Sequence, residues 1–201
     1  VEDGSLEVLK LLSSVSSEIA QGEILQLQHE KDIETLEKTY LEIVEAKTSS
    51  LFAAAMRVGG CINEKSKNEK EALTSYGLNL GICFQITDDI LDYYSDKIAF
   101  GKIIGNDFFE GKVTLPIIML YQKSSGEERI ELKKMFDRDK RTKEELAYTL
   151  NLMTKYQVIT ACKKRADHFS SVSADSLAIF PESNDKNKLQ ELAFYIVNRI
   201  N

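Results

Sequence analysis

Apolar residues recur along most of the chain at the three-and-four spacing of a helix with one buried face, and nowhere do apolar and polar residues alternate for more than a few positions. The pattern predicts helices near 5–28, 33–58, 67–97, 113–124, 127–137, 142–154, 156–173 and 185–200, and hence an all-α fold. The predicted breaks have local causes. Gly59-Gly60 closes the second helix, Gly101 and Gly105 open a long connection, Ser124-Ser125-Gly126 separates two short helices, and Pro181 precedes the last. Residues 137–145, DRDKRTKEE, read as a solvated link.

One segment breaks the pattern. Residues 84–94 read FQITDDILDYY, setting three carboxylates into what otherwise looks like a buried helix. At about 100° per residue, Gln85, Asp88, Asp89 and Asp92 share an arc of roughly 100°, with Phe84, Ile86, Ile90, Leu91 and Tyr93 outside it. Like charges so close raise one another's pKa and weaken the helix unless positive charge sits among them. Carboxylate oxygens suit Mg²⁺, which takes its remaining ligands from water and substrate phosphates. A solvated acidic face is the alternative, and the apolar and aromatic flanks favour the metal.

Residues 101–116, GKIIGNDFFEGKVTLP, follow with three glycines and with Lys102 and Lys112, a composition suited to an anion. The spacing excludes a Walker loop, because five residues separate Gly105 from Gly111 and Val113 follows Lys112. An ordinary connection with solvated lysines accounts for Lys102 and Lys112 equally well on composition. Upstream, KTSSLFAAAMRV opens on Lys47 and Thr48, where Lys47 either reaches a phosphate or snorkels along its helix.

Taken together, these segments resemble the second aspartate-rich region of the trans-isoprenyl diphosphate synthases, or polyprenyl synthetases, including their long-chain octaprenyl-type members. SSEIAQGEILQLQ (16–28) is similar to the family's Gly-Glu helix, YLEIVEAKTSSLFAAAMRVGG (40–60) to its Lys-Thr helix, and 161–200 to its closing helices. The resemblance implies an isoprenoid synthase-like helical bundle and a Mg²⁺-dependent prenyl transfer from an allylic diphosphate to isopentenyl diphosphate. It implies Asp88, Asp89 and Asp92 as metal ligands, Lys47, Lys102 and Lys112 on the pyrophosphate, and Thr48, Phe84 and Gln85 in the allylic pocket. The family also carries a first aspartate-rich motif with paired arginines and an acceptor-phosphate site, which these 201 residues lack. The chain is therefore expected to be one partial polyprenyl synthetase domain without the N-terminal helices, acting as a homodimer or with a chain that supplies the first motif. Product length is set in the family largely near that first motif. Two further readings stay open: a non-catalytic subunit of a heteromeric synthase, and a terpene cyclase-like enzyme, which the GKxxGxDxxEGKxTLP loop disfavours.

Composition narrows the remaining classes. Hydrophobic residues at 43% and charged residues at 29%, with two prolines, suit a folded helical protein. The net charge of −6 gives no basic stripe for nucleic acid. No apolar run approaches a membrane span, and no leader pattern opens the chain. Cys61, Cys83 and Cys162 are too dispersed for a disulfide framework and are expected as reduced core residues of a cytoplasmic protein. His29 and His168 are expected at the surface.

Overall fold

A computed structural model describes residues 5–94 and 104–200. Among them every regular element is helical: α1 (Leu6–Gln28), α2 (Glu37–Val44), a π-helical turn (Glu45–Ser49), α3 (Ser50–Ile62), α4 (Lys67–Tyr93), α5 (Asn106–Glu110), α6 (Leu115–Lys123), α7 (Gly126–Phe136), α8 (Lys143–Lys155), α9 (Val158–Ser176), a 3₁₀ turn (Leu177–Ile179) and α10 (Asn184–Asn198). The all-α expectation holds.

Helix starts follow local chemistry. Reciprocal capping boxes open α4 (Ser66 with Glu69), α7 (Ser125 with Glu128) and α8 (Thr142 with Glu145), each satisfying amides that the first turn leaves unpaired. Pro116 lies in the first turn of α6, where its missing N–H costs nothing.

The core is organised around α4. Tyr76, Ile82, Cys83, Ile86 and Ile90 are all but inaccessible, as befits a helix enclosed on several sides, with α3 and α9 as its main neighbours and α10 lying on α9. Each such aliphatic side chain contributes about 1.5–3 kcal/mol by leaving water. Cys83 and Cys162 are core residues as expected, whereas Cys61 is only partly covered.

The predicted 33–58 helix needs three corrections. It begins at Glu37, because residues 29–36 turn, with Lys31 at a φ of 65°. It does not stop at Gly59-Gly60 but runs to Ile62, and the chain reverses at Glu64, whose φ is 50°. A glycine inside a helix costs only about 1 kcal/mol, and Gly60 lies against Lys70 and Leu73 at the start of α4, where a Cβ would come within 3.0 Å of Leu73. Third, the helix is interrupted by the π turn, in which the Ser50 amide reaches back five residues to the Glu45 carbonyl.

That turn is gripped on two sides. A Cβ on Gly22 of α1 would stand 2.6 Å from the Lys47 nitrogen, and one on Gly81 of α4 would stand 2.6 Å from the Ser49 Cα. Only glycine permits backbones so close. Lys47 and Thr48 are thereby fixed between the Gly-Glu segment of α1 and the aspartate-bearing half of α4.

Two other expectations change. The α4 prediction extended to 97, whereas α4 ends at Tyr93; residues 95–103, including Gly101 and Lys102, lie outside the described residues. The charged link at 137–145 is only partly solvated, since Arg141 within it is 7% exposed.

Candidate functional site

The C-terminal half of α4, the π turn, α1 and the α5 turn enclose a cavity of about 520 Å³. From the expected set it gathers Lys47, Thr48, Gln85, Asp88, Asp89 and Lys112, and it adds Glu23, Gln26, Tyr40, Asp107 and Glu110. His29, expected at the surface, also lines it.

The three aspartates of α4 do not share one open face. Asp88 is exposed. Asp89, only 3% exposed, is held by two donors: the Tyr40 hydroxyl at 2.7 Å and the Gln85 amide nitrogen at 2.8 Å. Thr48 extends the chain of bonds by donating to the Gln85 carbonyl oxygen at 3.1 Å. Asp92 is buried and outside the cavity lining; its carboxylate accepts the Asp107 amide at 2.9 Å and its carbonyl accepts the Gly105 amide at 2.8 Å. It thus fastens α5 to α4. An arc of the helical wheel is set by backbone geometry alone, and the neighbours packed over it decide which of its carboxylates meet solvent.

Burial pushes the Asp89 carboxyl up to about 7, against the two donors that favour its ionised form and with the charges of Asp107 and Asp88 adding to the rise. Burial, and then the Asp89 charge, raises the Tyr40 hydroxyl well above its ordinary value. A folded-state pKa of about 7, above an unfolded value near 3.9, gives a contribution fully present below pH ~4 and lost as pH rises through 7. The loss runs at about 1.4 kcal/mol per pH unit across that window, to an upper bound near 4 kcal/mol. Asp89→Asn keeps an acceptor for Tyr40 and removes the buried charge, so its metal-free melting temperature is expected to exceed that of the unsubstituted chain at pH 8 and to converge with it towards pH 4. A difference that does not vary with pH in thermal melts would contradict this assignment.

The lysines face carboxylates. Lys47 reaches Glu23 and the Gln26 side-chain oxygen, both at 2.6 Å. Lys112 reaches Glu110 at 2.6 Å and Asp107 at 3.2 Å. Burial alone would lower the Lys112 ammonium, but these two acids outweigh it and hold its pKa above the ordinary value. Phe84 departs from expectation: its ring packs on Phe52, with centroids 5.5 Å apart, and under Arg199, outside the cavity lining. On the helical wheel it falls on the apolar side, and that periodicity governs its direction.

Sequence reasoning missed Tyr40, Asp107, Glu23 and Gln26 as site residues. Tyr40 lies seven residues before Lys47, two helical turns, so it was findable as a same-face neighbour. Glu23 and Gln26 belong to the segment already singled out around Gly22, and Asp107 to the loop. Among the described residues no three His, Cys, Asp or Glu side chains converge closely enough to cage a metal ion by themselves.

The profile of the polyprenyl synthetase family matches residues 2–153. The octaprenyl diphosphate synthase of Haemophilus influenzae is 30% identical over 195 residues, covering 97% of this chain and 59% of that protein. The all-trans-nonaprenyl-diphosphate synthase (geranyl-diphosphate specific) of Rhodobacter capsulatus is 35% identical over 200 residues, covering 100% and 61%. Among solved structures, a decaprenyl diphosphate synthase from Rhodobacter capsulatus matches with a TM-score of 0.93 at 34% identity, covering 100% of this chain and 62% of that one. A polyprenyl synthase from Caulobacter crescentus, complexed with calcium and isoprenyl diphosphate, matches with a TM-score of 0.93 at 35% identity, covering 100% and 61%. The chain thus spans about three fifths of the length of these relatives and shares their helical fold. With the family profile running through most of its length, the aspartate-bearing helix and the lysine turns included, the chain belongs to the polyprenyl synthetase family.

Proposed function

We propose that this chain carries the diphosphate-binding part of a polyprenyl diphosphate synthase, which joins an allylic diphosphate to isopentenyl diphosphate with release of pyrophosphate, in the synthesis of isoprenoid chains such as quinone side chains. One observation carries the reading: Lys47 and Thr48 from the π turn, Gln85, Asp88 and Asp89 from α4, and Asp107 and Lys112 from the α5 turn border a single cavity.

The charge of the lining supports a metal-bridged substrate. Six carboxyl groups (Glu23, Glu30, Asp88, Asp89, Asp107 and Glu110) stand against two ammonium groups, Lys47 and Lys112, so a bare diphosphate would be repelled. The charged donors offered to a cation are all oxygens, as Mg²⁺ requires, and Mg²⁺ commonly takes one or two carboxylates with water and phosphate oxygens completing its octahedron. The residues therefore fit the ion without a full protein cage. Exposed Asp88 would hold it, with Asp89 and Asp92 behind as the expected further carboxylates. Bound there, Mg²⁺ supplies positive charge to the departing pyrophosphate.

The chain's own groups do the rest. Lys47 and Lys112 neutralise the leaving group by exchanging their carboxylate partners for phosphate oxygens, and Lys102 adds its charge to theirs. Thr48 and Gln85 orient the allylic end, and Tyr40 fixes Asp89. Inorganic pyrophosphate with Mg²⁺ tests the site. At a hundredfold excess over its dissociation constant it should stabilise the chain by about 2.7 kcal/mol. Asp88→Asn should abolish that shift while leaving metal-free stability equal or slightly higher, since it removes a repelling charge. Survival of the shift in this variant would remove the metal assignment.

A further inference from the structure

Arg141, in the connection between α7 and α8, is a buried cation outside the cavity. Its guanidinium carbon lies 4.7 Å from the Phe136 ring centre, and its nitrogens donate to the Phe136 carbonyl at 3.2 Å and the Phe109 carbonyl at 3.3 Å. It also fills the space where Gly111 lacks a side chain: a Cβ there would stand 2.7 Å from Nη2. Burying a guanidinium is costly unless its donors are satisfied. Two of its nitrogens meet backbone carbonyls, one of them in the turn that carries Lys112, while its buried Nε has no hydrogen-bond partner among the described residues, so the Phe109 and Phe136 bonds and the ring stacking are what hold it.

That turn is held at every corner. Gly105 and Gly111, both at a φ of 80°, bound α5, and their backbones rest on the α7–α8 pair, Gly105 against Leu146 and Gly111 against Arg141. From the front, Asp92 holds the Gly105 and Asp107 amides, and the Lys31 amide donates to the Gly111 carbonyl at 3.3 Å. The same connection reaches around to Lys31, whose ammonium meets Asp139 at 2.7 Å. Phe108, fully buried, stacks edge-on against Phe136, the ring over which Arg141 lies.

We propose that Arg141 is a positioning residue for the diphosphate site: braced on Phe136, it sets the height of the Asp107–Lys112 turn over the cavity and so the distance from the Lys112 ammonium to Asp88. The proposal rests on the reading that this cavity takes a metal-bridged diphosphate. It accounts for a buried, positively charged residue in a link whose composition is that of a solvated surface.

The test compares the unsubstituted chain with Arg141→Met, Arg141→Lys and Val197→Ala, the last a core truncation in α10 that loses stability without touching the turn. Two quantities are read: amide hydrogen exchange at Gly105, Asp107, Gly111 and Lys112, and the dissociation constant for inorganic pyrophosphate with Mg²⁺. Arg141→Met is expected to speed exchange in the turn about tenfold relative to the α4 and α9 amides and to weaken pyrophosphate about tenfold. Arg141→Lys, which keeps the charge and one donor bond, should recover part of both, whereas Val197→Ala should move neither. Unchanged exchange in the turn, or affinity within about twofold of the unsubstituted chain, overturns the role of Arg141. Where the Met variant does not fold, Arg141→Lys alone decides by the same two readings. An unsubstituted chain that takes up no pyrophosphate with Mg²⁺ overturns the functional reading and this proposal with it; one that binds while the Arg141 variants bind equally leaves the reading intact and removes the proposal alone.

Discussion

Supplied with an allylic diphosphate, radiolabelled isopentenyl diphosphate and Mg²⁺, the 201-residue chain by itself is expected to incorporate no label above background. Ionising an allylic diphosphate calls for cations held from both sides of the cavity, and the chain has a single aspartate-rich segment, on α4. By the family resemblance, the acceptor's phosphate site is expected to come from outside these 201 residues as well. Co-expression with a segment bearing a first aspartate-rich motif should raise incorporation by at least a hundredfold, on the scale of restoring a lost set of charge-stabilising groups. An apolar stripe on α1 offers such a segment, or a second copy of the chain, a surface to cover: Leu6, Leu9, Leu12, Ile24 and Leu27 are 39–71% exposed. Along Leu51–Val58, Ala53 and Ala54 are buried, Leu51 and Ala55 are exposed, and Phe52, Met56 and Val58 are half-buried, so this face is covered only in part. Robust turnover by the purified chain would mean that the single aspartate-rich helix suffices.

In a complemented enzyme that turns over, Lys112→Gln is expected to lower kcat by roughly a hundredfold or more with little change in melting temperature. Charge that appears on the pyrophosphate only as the bond breaks is felt most by a donor aimed at it in a water-poor cavity, so the loss belongs to kcat more than to KM. The stability cost is small because the ion pairs of Lys112 with Glu110 and Asp107 involve a half-exposed ammonium, and such pairs contribute about 1 kcal/mol or less. Lys102→Gln is expected to act in the same direction. Unchanged steady-state kinetics in both variants would return these lysines to the role of solvated loop residues.

The long elements were legible because their signals are local. Capping boxes at Ser66, Ser125 and Thr142 fix helix starts through side-chain bonds spanning three residues, and the apolar spacing of α4 and α9 persists over many turns. Gly59-Gly60 misled because a glycine pair signals a stop only where no neighbouring helix demands a close approach. The five-residue α5 was illegible: it is too short to show a period, and its glycine boundaries resemble those of any loop. Within the site, the carboxylate cluster with Gln85 was readable from helical spacing, and Lys47 and Lys112 joined it only through the family resemblance, whereas the burial of Asp89 and Asp92 depends on Tyr40 and the α5 turn, partners 49 and 15 residues away in sequence. Arg141 was hidden by its surroundings, since a charged composition says where most of a segment faces but not which one of its members turns inward.

The π turn at Glu45–Ser49 makes the α2–α3 rod an odd-length device. One residue more than an α-helix needs is wound into it, so the side that presents Lys47 and Thr48 to the cavity and the side that beds Ala53 and Ala54 against the bundle are out of phase by about one residue's rotation. Loss of a single codon between 45 and 49 would leave composition, hydropathy and helical propensity almost unchanged and would straighten the rod. Either the ammonium or the alanines would then swing by roughly 100°. Point substitutions keep the residue count and so leave this phase untouched; a change of length is the kind of sequence variation to which the site is most vulnerable here.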